Sequence, residues 1–246
     1  MRLENRVAVI TGGTRGLGRA IAQRYLEEGA QVLCAARRPH EIDELVQLHP
    51  GRVHYQPVDV TCPKSVDALM AAAEERWGRI DILVANAGLN RDGKVDRLPT
   101  ESWDEMVATN LNGVFYCVQS AARRMVARGS GRIITVSSSM SSRVAIGAAG
   151  YSATKAAVET LTRVSAIELG RKGVQVNCLA PGVLEEGMGA EVADNPKVWE
   201  AYRSRFSLGR AGTLDEAAHG AVFLACAESS YVNGHVLEVN GGLLWA

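Results

Sequence analysis

Short β-branched runs alternate along the chain with longer stretches whose apolar residues recur every three or four positions. The first run, Arg6-Val-Ala-Val-Ile10, predicts a buried strand, and Arg19 to Glu28 predicts a helix. Gln31–Ala35 and Val53–Gln56 predict the second and third strands. Thr61 is expected to cap a helix that runs through Trp77 and stops at Gly78, before a fourth strand at Ile82–Ala85. Thr100 opens a further helix, and Arg132–Val136 is the fifth strand. A helix from Tyr151 to about Leu169 ends at Gly170, and Val174–Leu179 is the sixth strand. Thr213-x-x-Glu216 has the form of a capping box for a late helix, and Val236–Val239 is the last strand. The expected fold class is therefore α/β: one Rossmann-like domain with a doubly wound parallel sheet of about seven strands and helices on both faces. In such a sheet the ligand sits at the carboxyl ends of the strands, near the switch point.

Composition adds bounds. At 246 residues, 47% hydrophobic and 22% charged, the chain can build one large core, and no Pro/Gly/Ser-rich stretch or charge block marks a linker. One domain over residues 1–246 is the simplest division. The formal net charge of zero argues against nucleic acid or an anionic membrane as partner. The five cysteines (34, 62, 117, 178 and 226) are scattered, which suits reduced thiols in the cytoplasm. No run of about 18 apolar residues and no apolar signal core is present, and no metal site is expected.

Two features point to chemistry. The first is Thr11-Gly-Gly-Thr-Arg-Gly-Leu-Gly18, a glycine turn between strand and helix. Glycines at 12, 16 and 18 permit a tight turn and close backbone approach to a pyrophosphate, and the helix N-terminus offers free N–H groups to the anion. About 20 residues past such a turn, an NAD site commonly places an acidic residue on the ribose 2′-hydroxyl. Here that stretch reads Cys34-Ala-Ala-Arg-Arg38. Arg37, with Arg15 inside the turn, suits a 2′-phosphate and favours NADP(H), although Arg37 and Arg38 also fit a solvated strand end. The second feature is Tyr151 four residues before Lys155, with Ser138 thirteen residues upstream of the tyrosine. On a helix, positions i and i+4 share a face, so the ammonium is expected to lower the phenol from about 10 toward a range useful for proton transfer. An amphipathic helix edge has the same spacing.

Together with Asn86-Ala-Gly88, Asn110 and Pro181-Gly182, these motifs resemble the short-chain dehydrogenase/reductase family over nearly the whole chain, from about residue 4 to Gly242. The resemblance implies hydride transfer between NADPH and a carbonyl, with Tyr151 as proton donor, Ser138 holding the carbonyl oxygen and Lys155 stabilising the phenolate and gripping the nicotinamide ribose. Asn110 would hold a relay water beside the lysine. Ser137 and Ser139 compete with Ser138, which alone has the family spacing. The implied cofactor contacts are Gly12, Thr14, Arg15, Gly16, Leu17, Gly18, Arg37, Asp59, Val60, Asn86, Ala87, Gly88, Tyr151, Lys155, Pro181, Gly182 and Val183. For Asp59, a turn-stabilising role before Thr61 is an equal reading.

Three departures from the family pattern stand out. Ala85 replaces an additional Asn, Glu186 stands where a Thr normally meets the nicotinamide carboxamide, and Ala148-Ala-Gly150 precedes Tyr151 where polar residues are usual. Glu185 to Gly209 is expected to form a mobile substrate loop with an apolar side of Met188, Val192, Val198, Trp199, Tyr202 and Phe206, unless these pack on their own core. Likeness is greatest to 3-oxoacyl-[acyl-carrier-protein] reductases and polyketide ketoreductases, with Arg128, Arg171 and Lys172 as a possible basic rim for an acidic carrier. Dehydrogenation of a secondary alcohol, sugar or steroid is an alternative, as is a non-catalytic NADP sensor or scaffold. The resemblance also implies a homotetramer or dimer, paired through the long helices after strands four and five, with the tail Leu243-Leu-Trp-Ala246 at a second contact.

Overall fold

The computed structural model describes residues 1–189, 199–200 and 203–244. Val192, Val198, Tyr202, Trp245 and Ala246 lie outside the described residues. Seven strands form one sheet: β1 Val7–Thr11, β2 Gln31–Ala36, β3 Val53–Pro57, β4 Ile82–Ala85, β5 Gly131–Val136, β6 Val174–Pro181 and β7 Val236–Val239. All neighbours are parallel, in the order β3-β2-β1-β4-β5-β6-β7. The order reverses between β1 and β4, which opens a crevice at their carboxyl ends.

Both faces of the sheet are covered at its centre, so β1 and β4 read as nearly continuous apolar runs, buried throughout. Ala8 and Ile10 of β1 face helix α1 (Gly16–Glu27) and helix α7 (Leu214–Ala225), packing with Ile21, Tyr25, Ala218 and Val222. Val9 points the other way, toward α3 (Pro63–Trp77), α5 (Gly113–Arg128) and α6 (Ala149–Gly170), among Val66, Leu69, Met125 and Val158. The two-residue pleat thus sorts each strand between two cores. Among the described residues no helix is long and apolar enough to cross a membrane.

Several boundaries differ from the sequence expectation. A short helix, α2 (Ile42–Leu48), intervenes between β2 and β3, burying only Ile42 and Leu45. Thr61 does not cap α3. Cys62 occupies the cap position with Pro63 in the first turn, where a missing N–H is harmless, while the Thr61 hydroxyl is held by Asp59 at 2.7 Å. The capping box of Thr213 and Glu216 is present as expected. Helix α4 (Thr100–Met106) runs into a π-helical turn, Val107–Asn112, before α5. The proposed basic rim is on the wrong side. Arg128 donates to the Ile80 carbonyl at 2.8 Å and pairs with Asp81 at 3.1 Å, beneath the amino end of β4. Arg171 and Lys172 follow the far end of α6, about 30 Å along the helix from Tyr151 at ~1.5 Å per residue.

Of the proposed apolar loop side, Met188 is exposed, whereas Phe206 is buried, stacks at 5.7 Å on Trp199 and pairs with Leu243. Phe206 therefore packs as core. In the tail, the Leu244 N–H donates to the Arg205 carbonyl at 2.8 Å.

Candidate active site

Helix α6 carries Tyr151 and Lys155 in its first two turns, against the end of β5. Lys155 is almost wholly buried, and its Nζ donates to the Val136 carbonyl at 2.9 Å and stands 5.5 Å from the centre of the Tyr151 ring. Burial pushes the ammonium down to about 8. Burial also raises the Tyr151 phenol above its ordinary value, opposed by a hydrogen bond with Ser138. This corrects the sequence expectation of a lowered phenol: the lysine is engaged by a backbone carbonyl, so desolvation outweighs it.

The three serines separate cleanly. Ser137 shares its one hydroxyl proton between Glu159 at 2.9 Å and the Lys155 carbonyl at 3.2 Å, and Ser139 donates to the Pro181 carbonyl at 3.1 Å. Both hydroxyls are spent on the scaffold. Ser138 Oγ accepts from the Met140 N–H at 3.2 Å, which leaves its proton to be donated, and it is the serine that meets Tyr151.

Asn110 lies fully buried in the π turn, not on the surface. Such a turn interrupts the α-helical ladder and recurs at functional sites. Its amide forms a two-way bridge to the β4 loop, accepting from the Leu89 N–H at 2.9 Å and donating to the Leu89 carbonyl at 2.8 Å. It also donates to Thr154 at 3.2 Å, whose hydroxyl donates to the Tyr151 carbonyl at 2.8 Å. A Cβ on Gly88 would lie 3.2 Å from Asn110 Oδ1 and 3.4 Å from Lys155 Nζ, so the three meet at one point. Thr154 is a support that motif spacing did not single out.

The glycine turn sits beside this corner. Gly12 adopts φ +66°, and a Cβ on Gly18 would lie only 2.1 Å from the Gly12 carbonyl oxygen, so no other residue fits there. Asn86 locks the turn by donating to the carbonyls of Thr11 at 2.9 Å and Gly12 at 3.3 Å. The Thr11 hydroxyl accepts from the N–H groups of Asn86 and Ala87, both at 3.1 Å, a second support recognised only in the structure. Thr14 is buried and donates to the Arg38 carbonyl at 3.2 Å. Arg15 precedes α1, with Gly16 and Leu17 opening the helix. The two arginines expected to read a 2′-phosphate, Arg15 and Arg37, are both exposed, and their side chains make no hydrogen bond or ion pair among the described residues. Asp59 follows β3, where Thr61 holds its carboxyl below the usual range, aided by Arg37. Val60 packs against Gly113, at the start of α5.

On the other side, Pro181 ends β6, and the Gly182 N–H donates to the Val239 carbonyl at 2.9 Å. The Val183 carbonyl accepts from the Gly212 N–H at 3.0 Å. Glu186 is exposed. All the expected residues therefore line the carboxyl edge of the sheet from β3 to β6. No group of three His, Cys, Asp or Glu side chains among the described residues is placed to hold a metal ion.

Comparison with known proteins agrees with this geometry. A family model described as Enoyl-(Acyl carrier protein) reductase matches residues 12–244. A 3-oxoacyl-[acyl-carrier-protein] reductase of Thermotoga maritima is 36% identical, over 99% of this chain and 100% of that protein. A gluconate 5-dehydrogenase of Gluconobacter oxydans is also 36% identical, over 96% of this chain and 93% of its own length. The crystal structure of a gluconate 5-dehydrogenase from Burkholderia cenocepacia, in complex with NADP and tartrate, superposes with a TM-score of 0.93. It is 37% identical and covers 98% of this chain and 96% of that one. The chain belongs to the short-chain dehydrogenase/reductase family, as an oxidoreductase acting on CH–OH and C=O groups with a nicotinamide cofactor.

Proposed function

We propose that the protein uses NADPH to reduce a ketone to a secondary alcohol, and that the ketone is a 3-oxoacyl thioester or polyketide intermediate. The observation that carries the reaction is the buried corner where Ser138 meets Tyr151 beneath Lys155. A cofactor diphosphate fits the turn in which Gly12 and Gly18 approach without side chains, and a 2′-phosphate fits the exposed arginines 15 and 37. The nicotinamide supplies a hydride to the carbonyl carbon when bound. Ser138 and Tyr151 then hydrogen-bond the carbonyl oxygen where negative charge develops, and Tyr151 delivers the proton. Lys155, charged below about pH 8, stabilises the resulting phenolate and holds the ribose hydroxyls. Asn110, bound into the π turn, positions the water that returns the proton through the lysine.

The surroundings favour an apolar substrate over a sugar acid. Val144, Ile146 and Met188, on the segments that follow β5 and β6, are exposed apolar side chains. Two arginines in the loops that meet where the Gly93 N–H donates to the Gly147 carbonyl are already neutralised: Arg91 by Glu105 and Arg143 by Glu238. A sugar carboxylate would have to compete with those acids. The likeness to gluconate 5-dehydrogenases keeps sugar-acid oxidation as the competing reading. Pairing through α5 and α6 into a dimer or tetramer is supported by exposed Phe115, Val164 and Ile167, and buried Cys34, Cys117 and Cys178 suit a reducing cytoplasm.

An NADPH-oxidation screen tests the reading, with acetoacetyl thioesters, free and carrier-bound, set against 5-ketogluconate, cyclic ketones, quinones and neutral sugars. Preference for the thioesters is expected. Preference for 5-ketogluconate would overturn the substrate class, and NADPH binding without turnover of any ketone would overturn the enzyme reading.

A further inference from the structure

Glu159 lies one helical turn past Lys155, and none of the motifs includes it. Its side chain is only 13% exposed, and a single oxygen, Oε1, accepts from two serines: Ser137 at 2.9 Å and Ser141. The other oxygen faces Arg163 at 3.3 Å. Ser137 and Ser141 bracket Ser138, so one carboxylate on α6 grips the segment that carries Ser138 at both ends. That same helix carries Tyr151 and Lys155. The Ser137 hydroxyl also lies 3.2 Å from the Lys155 carbonyl, which shares that proton with Glu159, and Ser139 ties the turn to the end of β6.

We propose that Glu159 is a positioning residue that fixes Ser138 relative to Tyr151, an inference that rests on the ketone-reduction reading above. A carboxylate oxygen accepts two hydroxyl protons at once, which an apolar side chain cannot do. The segment that Glu159 holds leaves β5 as a single 3₁₀ turn, Ser139–Ser141, whose own backbone bonds are local: the Ser141 N–H to Ser138 at 3.0 Å, and the Ser142 and Arg143 N–H groups to Ser139 at 3.3 and 2.9 Å. Beyond the Ser139 tie to Pro181, Glu159 is the side chain that fixes both flanks of Ser138. A drift of about 1 Å at a group that orients the reacting oxygen costs up to ~100-fold in rate. The role requires an acceptor atom and not a charge, because the glutamine carbonyl has the same two lone pairs.

The test compares the wild type with Glu159→Ala, Glu159→Gln, Ser138→Ala and the Ser138→Ala/Glu159→Ala double variant. The substrate is acetoacetyl-CoA or 5-ketogluconate, whichever the wild type reduces faster. Glu159→Ala is expected to lower kcat about 30-fold with KM for NADPH within about twofold, and Glu159→Gln to stay within about threefold of wild type. On the Ser138→Ala background, Glu159→Ala should add less than about twofold, since there is no hydroxyl left to place. Unchanged kcat in Glu159→Ala, equal losses in both Glu159 variants, or the full loss persisting without Ser138 would each overturn the proposal. Tyr151→Phe run alongside separates the two claims: if it retains turnover, the ketone-reduction reading fails. Hydrogen exchange provides a readout that needs no substrate. In Ser141→Ala, which removes one of the two hydroxyls, the amides of Ser141 to Arg143 should exchange about tenfold faster while those of β1 do not change. Unaltered exchange there overturns the proposal even if Glu159→Ala fails to fold.

Discussion

The two ends of the strand edge are built on opposite principles. At the end of β5, Tyr151, Lys155 and Asn110 are buried, and Lys155 and Asn110 are held by named hydrogen-bond partners. Around β2, Arg15 and Arg37 are exposed, with side chains bonded to nothing among the described residues. Burial is what moves the acid–base groups: it lowers the lysine to about 8 and keeps the phenol protonated. Exposure is what leaves a guanidinium able to meet an incoming phosphate without first breaking another bond. On the proposed function, proton delivery would be rigid and desolvated, and recognition of the 2′-phosphate open and electrostatic.

The largest expected effect breaks the buried end alone. Tyr151→Phe should lower kcat by about 1,000-fold, with the fold unchanged by circular dichroism. The exposed end should give a different signature. Arg15→Gln combined with Arg37→Gln is expected to raise KM for NADPH by about 50-fold while leaving KM for NADH within about threefold, measured at fixed ionic strength. Equal losses for both cofactors would remove the 2′-phosphate role of the pair.

How much of this was legible depended on how local each signal is. The central strands could be read because β1 and β4 are short runs buried throughout, and the glycine turn because Gly18 has no room for a side chain. Spacing singled out Ser138, and in the structure Ser137 and Ser139 bond to Glu159 and Pro181 while Ser138 meets Tyr151. Helix α2 was missed because just two of its seven residues are buried, which is too little periodicity to see. The cap at Thr61 was misplaced because Asp59 captures the threonine hydroxyl, and the direction of the Tyr151 shift was misjudged because a lysine's partner is set by tertiary packing. The misplaced basic rim at Arg128 and the missed anchor at Glu159 share that origin: contacts distant in sequence decide them.

Smaller effects sharpen the same contrast. Because Lys155 is protonated below about 8, kcat/KM for ketone reduction should be level below pH 7 and fall about tenfold per unit above pH 8. The direction follows from burial, which weakens the lysine's hold on its proton, while the raised Tyr151 remains protonated throughout. A profile that rises through pH 8 would assign the wrong ionisation to the acid form. Glu186→Thr, at an exposed position after β6, is expected to change kcat and KM for NADPH by less than about threefold, since no described contact engages that carboxylate.

The division between the two ends is tested most directly by titrating NADPH fluorescence into Tyr151→Phe. The Kd should stay within about twofold of wild type while kcat collapses. A Kd that rises in step with the lost kcat, or turnover that survives the substitution, would contradict the assignment of proton delivery to Tyr151 and of cofactor discrimination to the arginine end.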